Sequence, residues 1–329
     1  MASVLVTGGA GYIGSHAVLA LKDAGHQVSV IDNLVTGFRW AVPEDVPFYE
    51  GNVADEALLD RIVAEQGVAA IMHFAGSVVV PESVSDPLKY YRNNTAASRT
   101  LIESAVRNGV KHFIFSSTAA VYGIPDHTPV DEETPRVPIN PYGTSKLMTE
   151  FMLADVAVAH PINYAALRYF NVAGADPAGR TGQSTAGATH LIKVAVEAAT
   201  GKRPHVSVFG TDYATPDGTG VRDYIHVSDL AAAHVLALAW LTERPEESVT
   251  LNCGYNRGFS VLEVLDAVER VSGRKIERRM EPRRAGDPDA LVAENAKILD
   301  AFRWQPRHGN LDTIVTHALA WEEKLAARG

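Results

Sequence analysis

The sequence holds a single cysteine, Cys253, in 329 residues. No internal disulfide can form, and a multi-cysteine zinc or iron–sulfur centre is excluded. The 12 histidines include no HExxH pattern and no paired His/Cys spacing, so no metal site is expected. The opening Met-Ala-Ser-Val-Leu-Val-Thr-Gly-Gly lacks the basic start and long apolar stretch of a signal peptide. The most apolar run, residues 230–241, contains His234 and is too short to span a bilayer. A reducing cytoplasm is the expected location. Positive charge is scarce: 30 Lys and Arg against 39 Asp and Glu give a net charge of −9. Nucleic acid and membrane surfaces are anionic, so neither is an expected partner. A small anionic ligand needs only a local basic cluster. Internal repeats, low-complexity segments and flexible linkers are missing too. With 46% hydrophobic and 21% charged residues the chain has a globular composition. Its length suggests two domains, packed and interleaved.

What is present has a clear order. Short runs rich in Val, Ile and Phe at 4–7, 28–32, 69–74 and 110–116 read as buried strands. Amphipathic stretches at 12–24, 56–65 and 95–108 separate them. Such alternation implies an α/β fold, a doubly wound parallel sheet with helices on both faces and right-handed crossovers. The second half is less regular. Residues 174–187 and 211–221 read as Gly-rich loops, 260–272 as a helix capped by Ser260 with Gly273 past its end, and 276–280 as a strand.

Residues 4–14, Val-Leu-Val-Thr-Gly-Gly-Ala-Gly-Tyr-Ile-Gly, carry a strand into a helix through a glycine-rich turn. Gly8 permits the tight turn, Gly11 lets the backbone approach a pyrophosphate, and Gly14 lets helix and strand pack closely. Phosphate would then sit at the positive end of a helix. Asp32 ends the next strand, 18 residues after Gly14. An acid there accepts from ribose hydroxyls and repels a 2′-phosphate, which selects NAD over NADP.

Asn140 and Pro141 mark a helix start, which puts Tyr142 and Lys146 at i and i+4 on one face. An ammonium beside a phenol, with oxidised nicotinamide nearby, lowers a tyrosine pKa from about 10 toward working pH. Such a tyrosine can take a sugar hydroxyl proton as hydride leaves the same carbon. The pair follows Phe115-Ser116-Ser117-Thr118, a hydroxyl-rich strand end where Thr118 can hold the substrate oxygen.

With these residues in place, the chain resembles the UDP-glucose 4-epimerases of the extended short-chain dehydrogenase/reductase family over nearly its whole length. The strings that carry the resemblance, in family order, are TGGAGYIGSH, IDNL, HFAG, FSSTAAVYG, YGTSK, RYFNVAGA, DGTGVRDYIHVSDLA and RRAGDP. The resemblance implies a Rossmann-type domain over 1–173, rejoined around 221–254, and a smaller mixed α/β nucleotide-sugar domain over 174–220 and 255–329. It implies NAD as cofactor, a UDP-sugar as substrate, a homodimer, and UDP-galactose/UDP-glucose interconversion as in galactose metabolism. Tyr142 would be the base, Lys146 its partner and a ribose ligand, and Thr118 the hydroxyl near the sugar O4. Gly8, Gly11, Tyr12, Ile13, Asp32, Asn33, Asn52, Val53, Phe74, Ala75, Gly76, Asn93, Ser116 and Phe170 would line NAD with Tyr142 and Lys146. Asn171, His190, Leu191, Ser207, Phe209, Arg222, Arg284, Asp287 and Leu291 would hold the UDP-sugar with Thr118. The basic run Arg278, Arg279, Arg283 and Arg284 offers charge for a diphosphate.

The chain departs from the family at a few positions. Asn52 stands where an Asp is usual, and Val78 where some members have Lys. Leu291 replaces a Tyr of some members, and Thr189-His190-Leu191 replaces an Asn-Asn-Leu. Ala119-Ala120 stand where sugar dehydratases and decarboxylases of the family carry an acid, which disfavours those activities. The substrate alternatives are UDP-N-acetylglucosamine and UDP-pentoses, alone or with dual specificity. A non-catalytic NAD-binding regulator is the reading from another class, and the intact Tyr142, Lys146 and Thr118 speak against it.

Overall fold

In the computed structural model, which describes residues 1–284 and 287–327, Val4, Leu5 and Val6 are fully buried because helices cover both faces of their strand. Ala285 and Gly286, within the RRAGDP string, and Arg328 and Gly329, at the end of the expected second domain, lie outside the described residues. In chain order the strands are β1 (Ser3–Thr7), β2 (Gln27–Asp32), β3 (Phe48–Glu50), β4 (Ala70–His73), β5 (His112–Thr118), β6 (Asn163–Tyr169), β7 (Asn171–Ala173), β8 (Val206–Phe209), β9 (Val221–His226), β10 (Val249–Cys253), β11 (Gly258–Ser260), β12 (Arg278–Glu281) and β13 (Ala290–Leu291). The helices are α1 (Tyr12–Asp23), α2 (Glu56–Gln66), α3 (Val80–Ser85), α4 (Pro87–Tyr90), α5 (Ala97–Arg107), α6 (Pro141–Ala159), α7 (Leu191–Ala199), α8 (Val227–Glu243), α9 (Val261–Ser272), α10 (Ala296–Phe302) and α11 (Leu311–Ala326).

Seven strands form the main sheet in the order β3-β2-β1-β4-β5-β6-β10, every neighbour parallel. Side chains alternate between its faces. Val4, Val6 and Val30 join α1 and α8 through Val18, Leu21, Leu230 and Leu238. Leu5, Ile31, Ile71, Phe113 and Phe115 join α2, α5 and α6 through Leu59, Ile62, Leu101 and Leu153. Each fully buried side chain of this kind contributes about 2 kcal/mol. This is the Rossmann-type doubly wound sheet that the sequence led us to expect. Its strand order reverses between β1 and β4, which is where such sheets open a crevice at their carboxyl ends.

The smaller C-terminal part is mixed α/β. β9 pairs with β7, β11 and β13, and β12 pairs with β8. α7, α9 and α11 share an apolar core with β8 through Ile192, Val196, Val208, Leu265 and Ile314. β9 thus belongs to this second sheet, and the chain rejoins the first with α8 and β10. Local signals placed the elements. Ser260 and Glu263 form a capping box on α9, and Gly273 ends it at φ 67°. One departure is informative: the stretch read as helix from 95 opens with a π-helical turn, Tyr91–Ala96. Asn94 is buried there, accepting from the Ser77 amide at 2.7 Å and donating to the Ser145 hydroxyl at 3.0 Å. Tertiary hydrogen bonds, not helix propensity, set that register.

Candidate active site

Gly8 lies at the end of β1 with φ +69°, and a Cβ there would stand 2.7 Å from the Ala75 amide nitrogen. A Cβ on Gly14 would stand 2.1 Å from the Gly8 carbonyl oxygen. Strand, turn and helix therefore fit only without side chains. Gly11 precedes α1, whose N-terminus has no side-chain cap and no acid in its first turn. An uncapped helix start of this kind has leading amides to offer an anion. The Tyr12 hydroxyl reaches across to the Gly174 carbonyl at 2.7 Å and ties this turn to the second lobe.

Asp32 ends β2 and is buried; its carboxylate accepts from the Ala10 amide at 2.9 Å and the Leu34 amide at 2.8 Å. Burial raises its pKa against those two bonds. Asn33 and Asn52 are exposed and turn their side-chain oxygens onto the Val35 and Ala54 amides. Val53 is buried beside them. Phe74, Ala75 and Gly76 follow β4 across the switch point, and Asn93 donates to the Ser77 hydroxyl at 3.1 Å. Val78 is exposed and supplies no charge.

The reactive group sits at the carboxyl end of β5. Asn140 caps α6 by accepting from the Gly143 amide at 2.9 Å, and Pro141 takes the first turn. Tyr142 and Lys146 are both buried on the face toward β5. Lys146 Nζ donates to the Ser116 carbonyl at 2.8 Å and lies 4.8 Å from the Phe115 ring centre. The Thr118 side chain accepts from the Ala120 amide at 3.1 Å, which leaves its hydroxyl proton for the Tyr142 oxygen. Burial raises the tyrosine pKa and the Thr118 bond opposes it. The sequence led us to expect the lysine and oxidised nicotinamide to depress this phenol. Within the chain burial sets the direction, and the lysine ammonium is turned onto Ser116. Burial in turn brings Lys146 down to about 8, with the Glu150 carboxylate pulling the other way.

Two histidines that the sequence did not single out support this floor. His73 bridges Thr7 Oγ1 at 2.6 Å and Ser98 Oγ at 2.8 Å and stacks on Phe115. His234, on α8, meets the Ser116 hydroxyl at 2.8 Å and packs 4.8 Å from Phe74, ring centre to ring centre. Burial holds His73 at about 3 and His234 at about 4, so both are neutral. Neither has a spacing signal; each is reached only through the sheet.

Facing this edge, Phe170 is buried between β6 and β7, and Asn171 opens β7. His190 is exposed at the N-cap position of α7 without a capping side-chain bond, and Leu191 begins the helix. Ser207 and Phe209 lie on β8, Arg222 on β9 and Leu291 on β13. Arg284 stacks 3.8 Å over the Phe209 ring, and Arg222 comes within 3.7 Å of Asp287. The basic run divides. Arg278 pairs with Asp266 and Glu269, Arg279 with Glu277, and Arg283 with Asp212 and Asp289. Arg284 has no carboxylate partner among the described residues, and it is the one that faces Phe209. Leu291 packs in a small apolar cluster with Ala119, Tyr122, Leu147 and Phe170.

A parallel sheet with a glycine switch point, and a buried tyrosine–lysine pair at its carboxyl edge, define a short-chain dehydrogenase/reductase of the extended type. The chain belongs to the NAD dependent epimerase/dehydratase family, whose sequence profile matches residues 4–254. It is 58% identical over 322 residues to the UDP-glucose 4-epimerase of Azospirillum brasilense, covering 98% of this chain and 92% of that one. Among solved structures, UDP-glucose 4-epimerase from Brucella ovis in complex with NAD superposes with a TM-score of 0.94 at 44% identity, covering 97% of this chain and 98% of that one. The UDP-Glc/GlcNAc 4-epimerase of Campylobacter jejuni superposes with a TM-score of 0.86 at 44% identity, covering 98% and 100%.

Proposed function

We propose that this protein is a UDP-glucose 4-epimerase that interconverts UDP-galactose and UDP-glucose with NAD. The observation that carries the reading is the buried Tyr142–Thr118–Lys146 group at the sheet edge opposite Arg222 and Arg284. The glycine turn, the uncapped α1 and Asp32 fit a dinucleotide; bound NAD would supply hydride acceptance and return at the sugar C4. Tyr142 takes the C4 hydroxyl proton and later gives it back. Thr118 holds the oxygen within reach of the phenol. Lys146, fixed on Ser116, holds positive charge near the phenolate. Arg222 and Arg284 grip the diphosphate, so the sugar can turn over while the UDP end stays bound. Asn33, Asn52 and the other residues named for each cradle are part of this proposal, as are the domain limits given above.

The test is to incubate purified protein with UDP-galactose, adding no cofactor, and to look for UDP-glucose by chromatography. Conversion supports both the epimerisation and a retained NAD. No conversion, even with NAD added, overturns the reading. Tyr142→Phe should abolish turnover in a folded protein.

A second reading, activity on UDP-N-acetylglucosamine, is favoured by Leu291, whose aliphatic side chain is buried in one cluster with Phe170 where some relatives carry a Tyr. We also propose a cytoplasmic homodimer. Met148, Phe151 and Val158 are exposed on α6, and an unpaired monomer would leave them in water. Sedimentation equilibrium giving one chain's mass would sink the dimer.

A further inference from the structure

One helical turn beyond Lys146, on the same face of α6, lies Glu150, and both its oxygens are taken. Arg168 donates from Nη2 to Oε2 at 2.7 Å and from Nε to Oε1 at 3.0 Å. The Ser117 hydroxyl donates to Oε1 as well. Ser117 and Arg168 are direct cross-strand partners on β5 and β6. One carboxylate on the helix is thus pinned to two strands of the sheet. The residue next to Ser117 is Ser116, whose carbonyl receives Lys146 Nζ. Arg168 is held in turn by the Tyr122 hydroxyl at 2.9 Å, which donates to Asn252 at 2.7 Å.

Taking two charges out of water costs several kcal/mol per ion, and apolar residues of the same volume often serve stability as well or better. Stability alone therefore gives no reason for an ion pair at this spot. Its place one turn behind the reactive lysine does.

We propose that Glu150, clamped by Ser117 and Arg168, is a positioning residue: it fixes the height of α6 on β5 so that Lys146 meets the Ser116 carbonyl, and it sets a carboxylate one turn behind the lysine. The proposal rests on Tyr142 and Lys146 being the catalytic pair. The other titratable or charged groups around the lysine come from every neighbouring element. Tyr142 is on its own helix, His73 on β4, Arg168 and Tyr169 on β6, and His234 on α8. Tyr90 of α4 stands edge-on to Tyr142, Tyr122 lies over Arg168, and Glu132 is bound to the Asn252 amide with Lys297 3.6 Å away. Among these, the Glu150 carboxylate is the anion that acts on Lys146.

Glu150→Gln keeps the size and leaves the Arg168 guanidinium unbalanced, and both changes push the proton off Lys146. The measurement is the pH dependence of kcat and KM for UDP-galactose, with thermal unfolding alongside. The alkaline limb of kcat should move down by about one pH unit, roughly a tenfold loss above it, with KM within about threefold. A purely structural role would lower kcat evenly and leave the limb in place, which overturns the proposal. If Glu150→Gln does not fold, Ser117→Ala keeps both charges and removes one anchor. It should lower kcat about three- to tenfold at unchanged KM; wild-type kcat there also overturns the proposal. Tyr142→Phe, assayed beside them, separates the two ideas. An active Tyr142→Phe means the catalytic pair itself is misassigned. A dead Tyr142→Phe with an unmoved Glu150→Gln limb means only this proposal fails.

Discussion

On the β1–α1 side of the crevice the surface proposed for the dinucleotide is backbone: a positive-φ turn at Gly8, the contact of Gly14 with Gly8, and an uncapped helix end. On the side proposed for the UDP-sugar it is side chain: Arg222, Arg284, Phe209 and Asp287, carried on short strands and the loop after β12. A backbone cradle is rigid and admits almost no substitution. A side-chain cradle is adjustable, and its arginines can follow a ligand. The proposed chemistry needs both, because the cofactor must stay fixed while the sugar turns over between two poses.

The largest expected effect breaks the backbone cradle. In Gly14→Ala the new methyl meets a carbonyl oxygen at 2.1 Å, and no flexible side chain is there to yield. Strand and helix must separate, at a cost of about 3 kcal/mol or more. Thermal unfolding and the NAD content of the purified protein report it. Wild-type values for both would show that the close packing is not required.

Acid should separate the two sides next. His16 and His234 are held near 4, His73 near 3 and His226 near 2, burial being the main cause in each. Their unfolded values lie near 6.5. Below that pH the unfolded chain binds protons that the folded one refuses, so stability is full above about 6.5 and falls as pH drops toward 4. Each group contributes a slope of about 1.4 kcal/mol per pH unit. Asp223, raised to about 6, and Asp32, also raised, act in the opposite sense and offset part of the loss. His73 and His234 lie on the side proposed for the cofactor, next to Thr7, Ser116 and Phe74. Melting temperature and NAD retention should both fall between pH 6.5 and 5, and a flat profile would break the argument.

The side-chain cradle is tested by Arg284→Ala and Arg222→Ala. Each removes charge-assisted bonds worth about 1.5–3 kcal/mol, so KM for UDP-galactose should rise roughly 10- to 100-fold. NAD content should stay at the wild-type level. Joint loss of NAD and substrate affinity would mean that the two sides are one site.

The same contrast explains what the sequence made readable. Backbone cradles leave a spacing: Gly8, Gly11 and Gly14 between a strand and a helix, then Asp32. Asn140, Pro141, Tyr142 and Lys146 likewise lie within one stretch, so the start of α6 and its reactive face could be read directly. Arg222, Phe209, Arg284 and Leu291 sit on separate short strands and loops that meet only in the fold, and the resemblance alone pointed to them. The π-helical turn at Tyr91–Ala96 was invisible because Ser77 and Ser145 impose it on Asn94 from a distance. The strength of burial at Tyr142, which works against the expected lowering, was not legible for a related reason. Spacing put a lysine on the same face as the phenol, but it could not show how deeply both are buried or that the ammonium is spent on Ser116.

The smallest effect tests how adjustable the side-chain cradle is. Leu291 is buried in a cluster with Ala119, Tyr122, Leu147 and Phe170, on the side proposed for the sugar. Leu291→Tyr adds a ring and a hydroxyl to a packed site, and overpacking of this kind costs about 1–3 kcal/mol. That cost falls on every substrate alike, so it cancels in a ratio of kcat/KM values measured on one variant. What does not cancel is the volume taken from an N-acetyl group. Wild-type protein should turn over UDP-N-acetylglucosamine as well as UDP-glucose, and Leu291→Tyr should cut the N-acetylated share about tenfold, the scale of one or two methylenes in a pocket. An unchanged ratio would place the acetamide recognition elsewhere, with Leu291 acting only as packing with Phe170.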